Sequence, residues 1–135
     1  MPALRMSSVA IAGRCLFALI FVVSGLNHLL ASRELVALAS ARGVPAPRLA
    51  VLGSGALILA GGLSVALGYH ARTGAWLLVL FLVPTTLVMH PFWGIADDVV
   101  ARNQMLQFMK NVSMLGGALM IAHFGSGPGS LDGRA

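Results

Sequence analysis

Four long apolar runs constrain this chain more than any other feature of its sequence. They extend from about Val9 to Ala31, Leu49 to Tyr69, Thr73 to Met89 and Met105 to Phe124. Each comes close to the roughly 20 residues that an α-helix needs to cross the hydrocarbon core of a bilayer. Because backbone polar groups must be satisfied internally in lipid, the runs predict four membrane-spanning helices. The expected fold class is all-α, an integral membrane four-helix bundle, in a single domain over residues 1–135.

The amino-acid composition agrees with a lipid environment. Hydrophobic residues make up 58% of the 135 residues and charged residues only 10%, too few to cover a surface in water. The formal net charge is +5, but the basic residues stand singly between the apolar runs, so nucleic acid is not an expected partner. The single cysteine, Cys15, excludes an internal disulfide and a CxxC pair. Any redox chemistry would therefore depend on a cofactor or a partner protein.

The segments between and after the runs also carry predictions. Residues 33–42 are typical of a short helix lying at the membrane interface, ended by the glycine and prolines that follow. The glycine-rich residues 125–135 predict a flexible tail. Four spans place both termini on one side of the membrane, here called side A, and side B carries the connections after the first and third spans. Arg5 and Arg14, which flank the first span, favour cytoplasmic termini.

Small residues in the second run predict where the helices pack most closely. Ala56, Ala60, Ser64 and Gly68 recur at every fourth position. Membrane helices associate through close van der Waals contact, which small side chains permit. We therefore expect this stripe to face another helix.

Polar side chains within the spans cluster near side B. Ionisable groups are expensive inside a membrane, so each is a functional hypothesis, although a single polar side chain can also serve as a hydrogen bond between helices. A bundle would gather the side B ends of three spans into one polar pocket. The predicted ligand-binding residues are Asn27, His28, His90, Gln107, Lys110 and Asn111.

Arg14 forms a second, separate polar point. It lies near the side A end of the first span, whereas Lys110 lies near the side B end of the fourth, so the two are not expected to pair. The arginine side chain is long enough to reach its own interface. A structural role and a role in a site both remain open for it.

The chemistry of the side B pocket suits a ligand that carries oxygen atoms. A lysine cation with two imidazoles fits the carbonyl or phenol oxygens of a quinone head group, whose isoprenoid tail would lie in lipid. An anionic sulfur species or a lipid phosphate would fit the same residues. No Cys, Asp or Glu is positioned within the spans to complete a metal site, so no metal is predicted. His90 stands at a helix end before Pro91, which disfavours haem, and no intrinsic cofactor is predicted beyond a bound quinone.

Several short motifs follow one another along the chain in a specific order. They are Gly13-Arg14 leading into Phe21–Leu29, then Arg42–Pro47, Gly61-Gly62, His90–Trp93, and Gln107–Asn111 through to Gly116-Gly117. This series resembles the DoxX family over nearly the whole chain, and the ordered set is more specific than any single motif. The resemblance implies a small four-helix protein of the bacterial inner membrane. Relatives include a subunit of thiosulfate:quinone oxidoreductase and a membrane partner of superoxide dismutase and a sulfurtransferase.

The function that the resemblance implies is a redox-associated accessory subunit that contacts the quinone pool. The alternatives are a catalytic subunit of a sulfur-compound:quinone oxidoreductase and a carrier of small molecules or lipids with no redox role. Many relatives carry a glutamate three residues before the Gly-Gly of the second span, where this chain has Ile58. A role for that acid cannot be carried over, so catalytic activity stays open. The expected partners are membrane lipid, a redox enzyme and further copies of the chain.

Overall fold

Five α-helices and no strand make up the part of the chain that the computed structural model describes, residues 2–133, with side chains from residue 6 onward. The helices are α1 (Pro2–Leu30), α2 (Ser32–Ala41), α3 (Pro47–Leu67), α4 (Ala71–Met89) and α5 (Asp98–Phe124). All but α2 are long and apolar enough to cross a membrane. The predicted all-α fold with four membrane-spanning helices is confirmed.

Local sequence signals explain where the helices begin and end. The side chain of Asp97 accepts hydrogen bonds from the backbone N–H groups of Val99 and Val100, at 2.9 and 3.0 Å, and so caps α5. This cap starts the helix at Asp98 rather than near Met105, where the apolar run begins. At the other end of the bundle, Gly68 takes a left-handed conformation with φ of 65° and terminates α3.

Helix α3 occupies the centre of the packing, against α1, α2 and α4, and α4 in turn packs against α5. Glycines permit the closest approaches. A Cβ atom added to Gly61 would lie 2.9 Å from the carbonyl oxygen of Gly74 on α4, and one added to Gly55 would lie 2.6 Å from the Cβ atom of His28 on α1. Residues with side chains could not allow these backbones to come so near.

The predicted stripe of small residues on this helix is wrong in part. Ala56 and Ala60 are exposed, Ser64 is half-buried, and Gly68 alone is buried. At 3.6 residues per turn, a row of every fourth residue winds around the helix by about 40° per step, so it starts on the lipid face and reaches a contact face only at its end. The residues of α3 that are buried are Val51, Gly55, Ile58, Gly61, Gly62 and Val65.

The apolar core lies between the four spans and is small. Its largest fully buried side chains are Ile58 and Val65 of α3 and Leu78 and Leu82 of α4. Many other large apolar side chains point outward, such as Leu16, which is 73% exposed. An apolar exterior of this kind is what lipid contact requires of a spanning bundle.

Residues 125–133 return across the side A end of the bundle. The N–H of Leu131 donates to the carbonyl of Leu67 at 3.1 Å, and that of Asp132 donates to the carbonyl of Gly68 at 3.2 Å. This defined path differs from the flexible tail that the glycine content predicts. The glycines of the segment adopt φ angles between 63° and 86°, which allow tight reversals, and backbone bonds then hold the segment in place. The last two residues of the predicted tail lie outside the described residues.

Candidate functional site

A cavity of about 790 Å³ lies in the side B half of the bundle and is lined by residues of all five helices. Its volume falls within the range of small-molecule sites, about 300–1,000 Å³. Most of the lining is apolar, with Phe21, Leu57, Phe81 and Met114 among the larger side chains. The polar side chains of the lining are Ser24, His28, Arg42, Ser54, Thr85, His90, Lys110 and Asn111.

The structure brings four of the six predicted pocket residues to this cavity, namely His28, His90, Lys110 and Asn111. Asn27 and Gln107 are exposed and stand outside the lining. Asn27 precedes His28 by one position, which turns its side chain by about 100° around the helix. Gln107 lies about one turn nearer to side B than Lys110, so it has passed the end of the cavity.

His28 is fixed against α3 by two neighbours. Its ring atom Nδ1 lies 3.2 Å from the carbonyl oxygen of Val51 and 3.1 Å from Oγ of Ser54. The Ser54 hydroxyl itself donates to the same carbonyl at 3.0 Å. Gly55 has no side chain, and this gives the histidine room to pack against α3. The rings of His28 and Phe81 pack edge to face with their centroids 6.1 Å apart. The imidazole therefore has a set orientation in the cavity wall.

His90 is held in a different way, by a side chain of α5. Its Nδ1 atom lies 3.0 Å from Oε1 of Gln104, and this contact ties the end of α4 to the beginning of α5. Gln104 is not among the residues predicted from the sequence, because it stands before the apolar run that defines the fourth span. Ser54 is not among them either, because its hydroxyl lies inside an otherwise apolar run.

Asn111 and Lys110 differ in their surroundings although they are neighbours on α5. Lys110 is exposed and reaches the cavity from its rim. Asn111 is only 7% exposed, and within the described part of the chain its amide forms no hydrogen bond. The amide atoms are not among those that are buried without a partner, so they are open to the cavity. An open amide on the wall of a cavity is available to hydrogen bond with a ligand.

Helix α4 is interrupted at the level of the cavity. Pro84 lies inside this helix and has no N–H to donate to the carbonyl group four residues earlier, on Leu80. Both residues belong to the lining. The helix therefore lacks one of its usual backbone hydrogen bonds beside the cavity.

Carboxylates are missing from the described lining of the cavity, which offers imidazole, ammonium, guanidinium, amide and hydroxyl groups. Among residues 6–133, no group of three or more His, Cys, Asp or Glu side chains lies close enough together to hold a metal ion. The polar groups that are present suit hydrogen bonds to an uncharged or anionic head group.

Arg14 lies at the opposite end of the bundle and is 7% exposed. Its guanidinium donates to the carbonyl oxygens of Ser126, Pro128 (3.0 Å) and Gly129 (2.8 Å) in the returning C-terminal segment. The Nε atom is buried without a partner among the described residues. Arg14 thus clamps the segment that closes side A and stands apart from the side B cavity.

Four spanning helices with a lipid-facing apolar exterior and a ligand-sized cavity between them define a multi-pass membrane protein. The DoxX family profile matches residues 9–91. Inner membrane protein YphA of Escherichia coli (strain K12) is 31% identical over 121 residues, covering 90% of this chain and 86% of YphA. The chain therefore belongs to the DoxX family, and it is a multi-pass protein of the inner membrane, as its sequence predicts. No solved structure matches it.

Proposed function

We propose that the side B cavity binds the head group of a lipid-soluble quinone and that the protein serves as a redox-associated accessory subunit at the quinone pool. The observation that carries the proposal is a mostly apolar cavity of 790 Å³ whose lining includes the Asn111 amide, which has no hydrogen-bond partner among the described residues. Such a cavity, with a few placed polar groups, is the usual form of a small-molecule site.

The lining fits an amphiphile whose apolar chain stays in the membrane. Leu80 and Val88 belong to the lining, yet they are 63% and 42% exposed on the lipid-facing surface of α4. A chain attached to a bound ring can leave the cavity over this apolar rim. The ring itself would lie against Phe21 and Phe81, with its oxygen atoms within reach of the polar end.

An accessory role is supported by the residue types in the lining. The described cavity wall holds no Cys, Tyr or Trp, and Cys15 lies on α1 outside it. Ile58, which replaces the glutamate of many relatives, is fully buried in the apolar core. Electrons that pass to or from the ligand would therefore come from a partner protein.

Binding of a short-chain benzoquinone to the detergent-purified protein, measured by isothermal titration calorimetry, tests the cavity. Asn111→Leu keeps the side-chain size but removes the amide, and we expect it to raise Kd about tenfold, the equivalent of about one hydrogen bond. Asn27→Leu, a matched change outside the lining, should leave Kd unchanged. An Asn111→Leu protein that binds as tightly as the wild type would refute the site.

A tagged pull-down from native membranes in mild detergent, followed by mass spectrometry of proteins and lipids, tests the accessory role. We expect a redox enzyme in stoichiometric amount together with quinone. A protein that elutes alone with only bulk lipid would overturn this role in favour of the carrier, and flux across proteoliposomes that contain this protein alone would then measure carrier activity.

A further inference from the structure

The proton on the His28 ring can be assigned from its surroundings. A backbone carbonyl oxygen can only accept a hydrogen bond, and Nδ1 of His28 lies 3.2 Å from that of Val51. A hydrogen on Nδ1 makes this contact a hydrogen bond, whereas a bare Nδ1 would set a lone pair against the carbonyl oxygen. The Ser54 hydroxyl donates to the same carbonyl, which leaves Nδ1 to donate rather than to accept. In the neutral ring, Nε2 is then a lone-pair acceptor.

This acceptor is unused within the described part of the chain. The polar contacts of His28 with the described residues all involve Nδ1, its ring packs edge-on with Phe81, and the residue lines the cavity. His90 offers no such certainty, because its partner is the side-chain amide of Gln104, which can present either its oxygen or its nitrogen. The Val51 carbonyl presents only its oxygen, so the acceptor beside Nδ1 of His28 is a defined one.

The other polar groups of the lining differ from this acceptor. Lys110, at the exposed rim, and the half-buried Arg42 can only donate hydrogen bonds, whereas the hydroxyls of Ser24 and Thr85 can donate or accept. Asn111 can also serve as donor or acceptor. At His28 the cavity therefore offers an acceptor, which needs a ligand group that donates.

We infer that the cavity prefers the reduced, hydroxyl-bearing form of its ligand, a quinol or a similar phenol, whose hydroxyl donates to Nε2 of His28. The inference rests on the proposed function and adds the redox state of the ligand. A quinone carbonyl placed at the same point would set an acceptor against an acceptor and form no hydrogen bond. We expect the quinol to bind about tenfold more tightly than the quinone, a difference of about 1.4 kcal/mol.

Three ligands that share one ring and one short alkyl chain provide the test. They are the benzoquinol, the benzoquinone and the dimethyl ether of the quinol, titrated into the wild-type protein by calorimetry under argon. The ether keeps the reduced ring but has no hydroxyl to donate. We expect the quinol to bind about tenfold more tightly than both other ligands.

Two variants separate the role of the ring nitrogen from that of its surroundings. His28→Phe keeps an aromatic ring beside Phe81 and should abolish the preference for the quinol. Ser54→Ala leaves the Val51 carbonyl and its bond to Nδ1 in place, so the preference should persist. Nitrogen NMR of protein labelled with ¹⁵N-histidine gives a readout without ligand, in which the His28 signals, assigned by their loss in His28→Phe, should show a protonated Nδ1 and an unprotonated Nε2.

The outcomes distinguish this inference from the proposal beneath it. Equal binding of quinol and quinone, with both weakened by Asn111→Leu, would keep the quinone site and overturn the preference. A hydrogen on Nε2 with a bare Nδ1 would overturn it as well. Failure of all three ligands to bind would remove the site and the preference together.

Discussion

Loss of the Arg14 side chain should release the C-terminal segment from side A. The guanidinium donates three hydrogen bonds to backbone carbonyls of this segment, from Ser126 to Gly129. Hydrogen bonds to charged groups contribute about 1.5–3 kcal/mol each. The carbonyls regain water when the segment leaves, so we expect a net loss of about 3 kcal/mol, which is less than the sum of the three bonds. That loss raises the population of the open segment about 100-fold.

Thiol labelling measures this population directly. The hydroxyl of Ser130 is buried on the inner face of the docked segment. Ser130→Cys in a Cys15→Ala background therefore places the single thiol of the protein at this buried position. When opening is fast relative to labelling, the rate of reaction with a maleimide in detergent follows the open fraction. Arg14→Gln should raise that rate about 100-fold. Arg14→Lys keeps the positive charge but lacks the planar guanidinium group that donates to several carbonyls at once. It should therefore give a labelling rate between those of the wild type and Arg14→Gln.

A reference position controls for the reactivity of the reagent. Leu131 is 68% exposed, so Leu131→Cys should react rapidly whichever residue stands at position 14. The Ser130→Cys thiol should be labelled more slowly in the protein with Arg14 than in the Arg14→Gln variant. If both proteins are labelled at the same rate, the three hydrogen bonds do not hold the segment.

Three further substitutions test the helix packing and the helix ends by thermal unfolding in detergent. Gly61→Ala would place a Cβ atom 2.9 Å from a backbone oxygen and should destabilise the protein by about 1–3 kcal/mol. Gly116→Ala adds a Cβ atom in open space and should leave the stability unchanged. Equal effects of the two substitutions would contradict the packing. Asp97→Ala should cost about 1 kcal/mol through the lost cap of α5, and no change in Tm would show that the cap is dispensable. Ala46→Gly should stabilise by about 1 kcal/mol, because Ala46 has φ of 46°, and a lower Tm would contradict that strain.

The spanning helices could be predicted because each depends on a local property of the sequence. A run of apolar residues long enough to cross a bilayer has few alternatives to a helix. The start of α5 could not be placed in this way, since it is set by the polar residue Asp97 and its first turns are not apolar. The boundary of a helix follows its capping bonds, whereas hydropathy follows only the part that lies in lipid.

The partner of each polar residue could not be predicted, because it depends on how the helices turn about their axes. Spacing along α1 placed Asn27 and His28 near side B, yet only His28 lines the cavity. Arg14 presented the same difficulty in a stronger form. Its acceptors are carbonyls more than a hundred positions away, in a segment whose glycines indicated mobility. Every residue has a backbone carbonyl, so the sequence does not show which carbonyls accept hydrogen bonds from a distant side chain.

The two ends of the bundle differ in how open their polar groups are, and this difference locates the ligand. At side A the returning segment covers the end of the bundle and gives three carbonyls to Arg14 and a carboxylate, that of Asp132, to the N–H of His70. Two side-chain atoms there, Nε of Arg14 and Oγ of Ser130, stay buried without a partner among the described residues, so no ligand can reach them. At side B the Asn111 amide also has no partner among the described residues, but Asn111 and His28 line a cavity. A ligand can reach unpaired groups only where a cavity gives access to them, so the ligand belongs at side B.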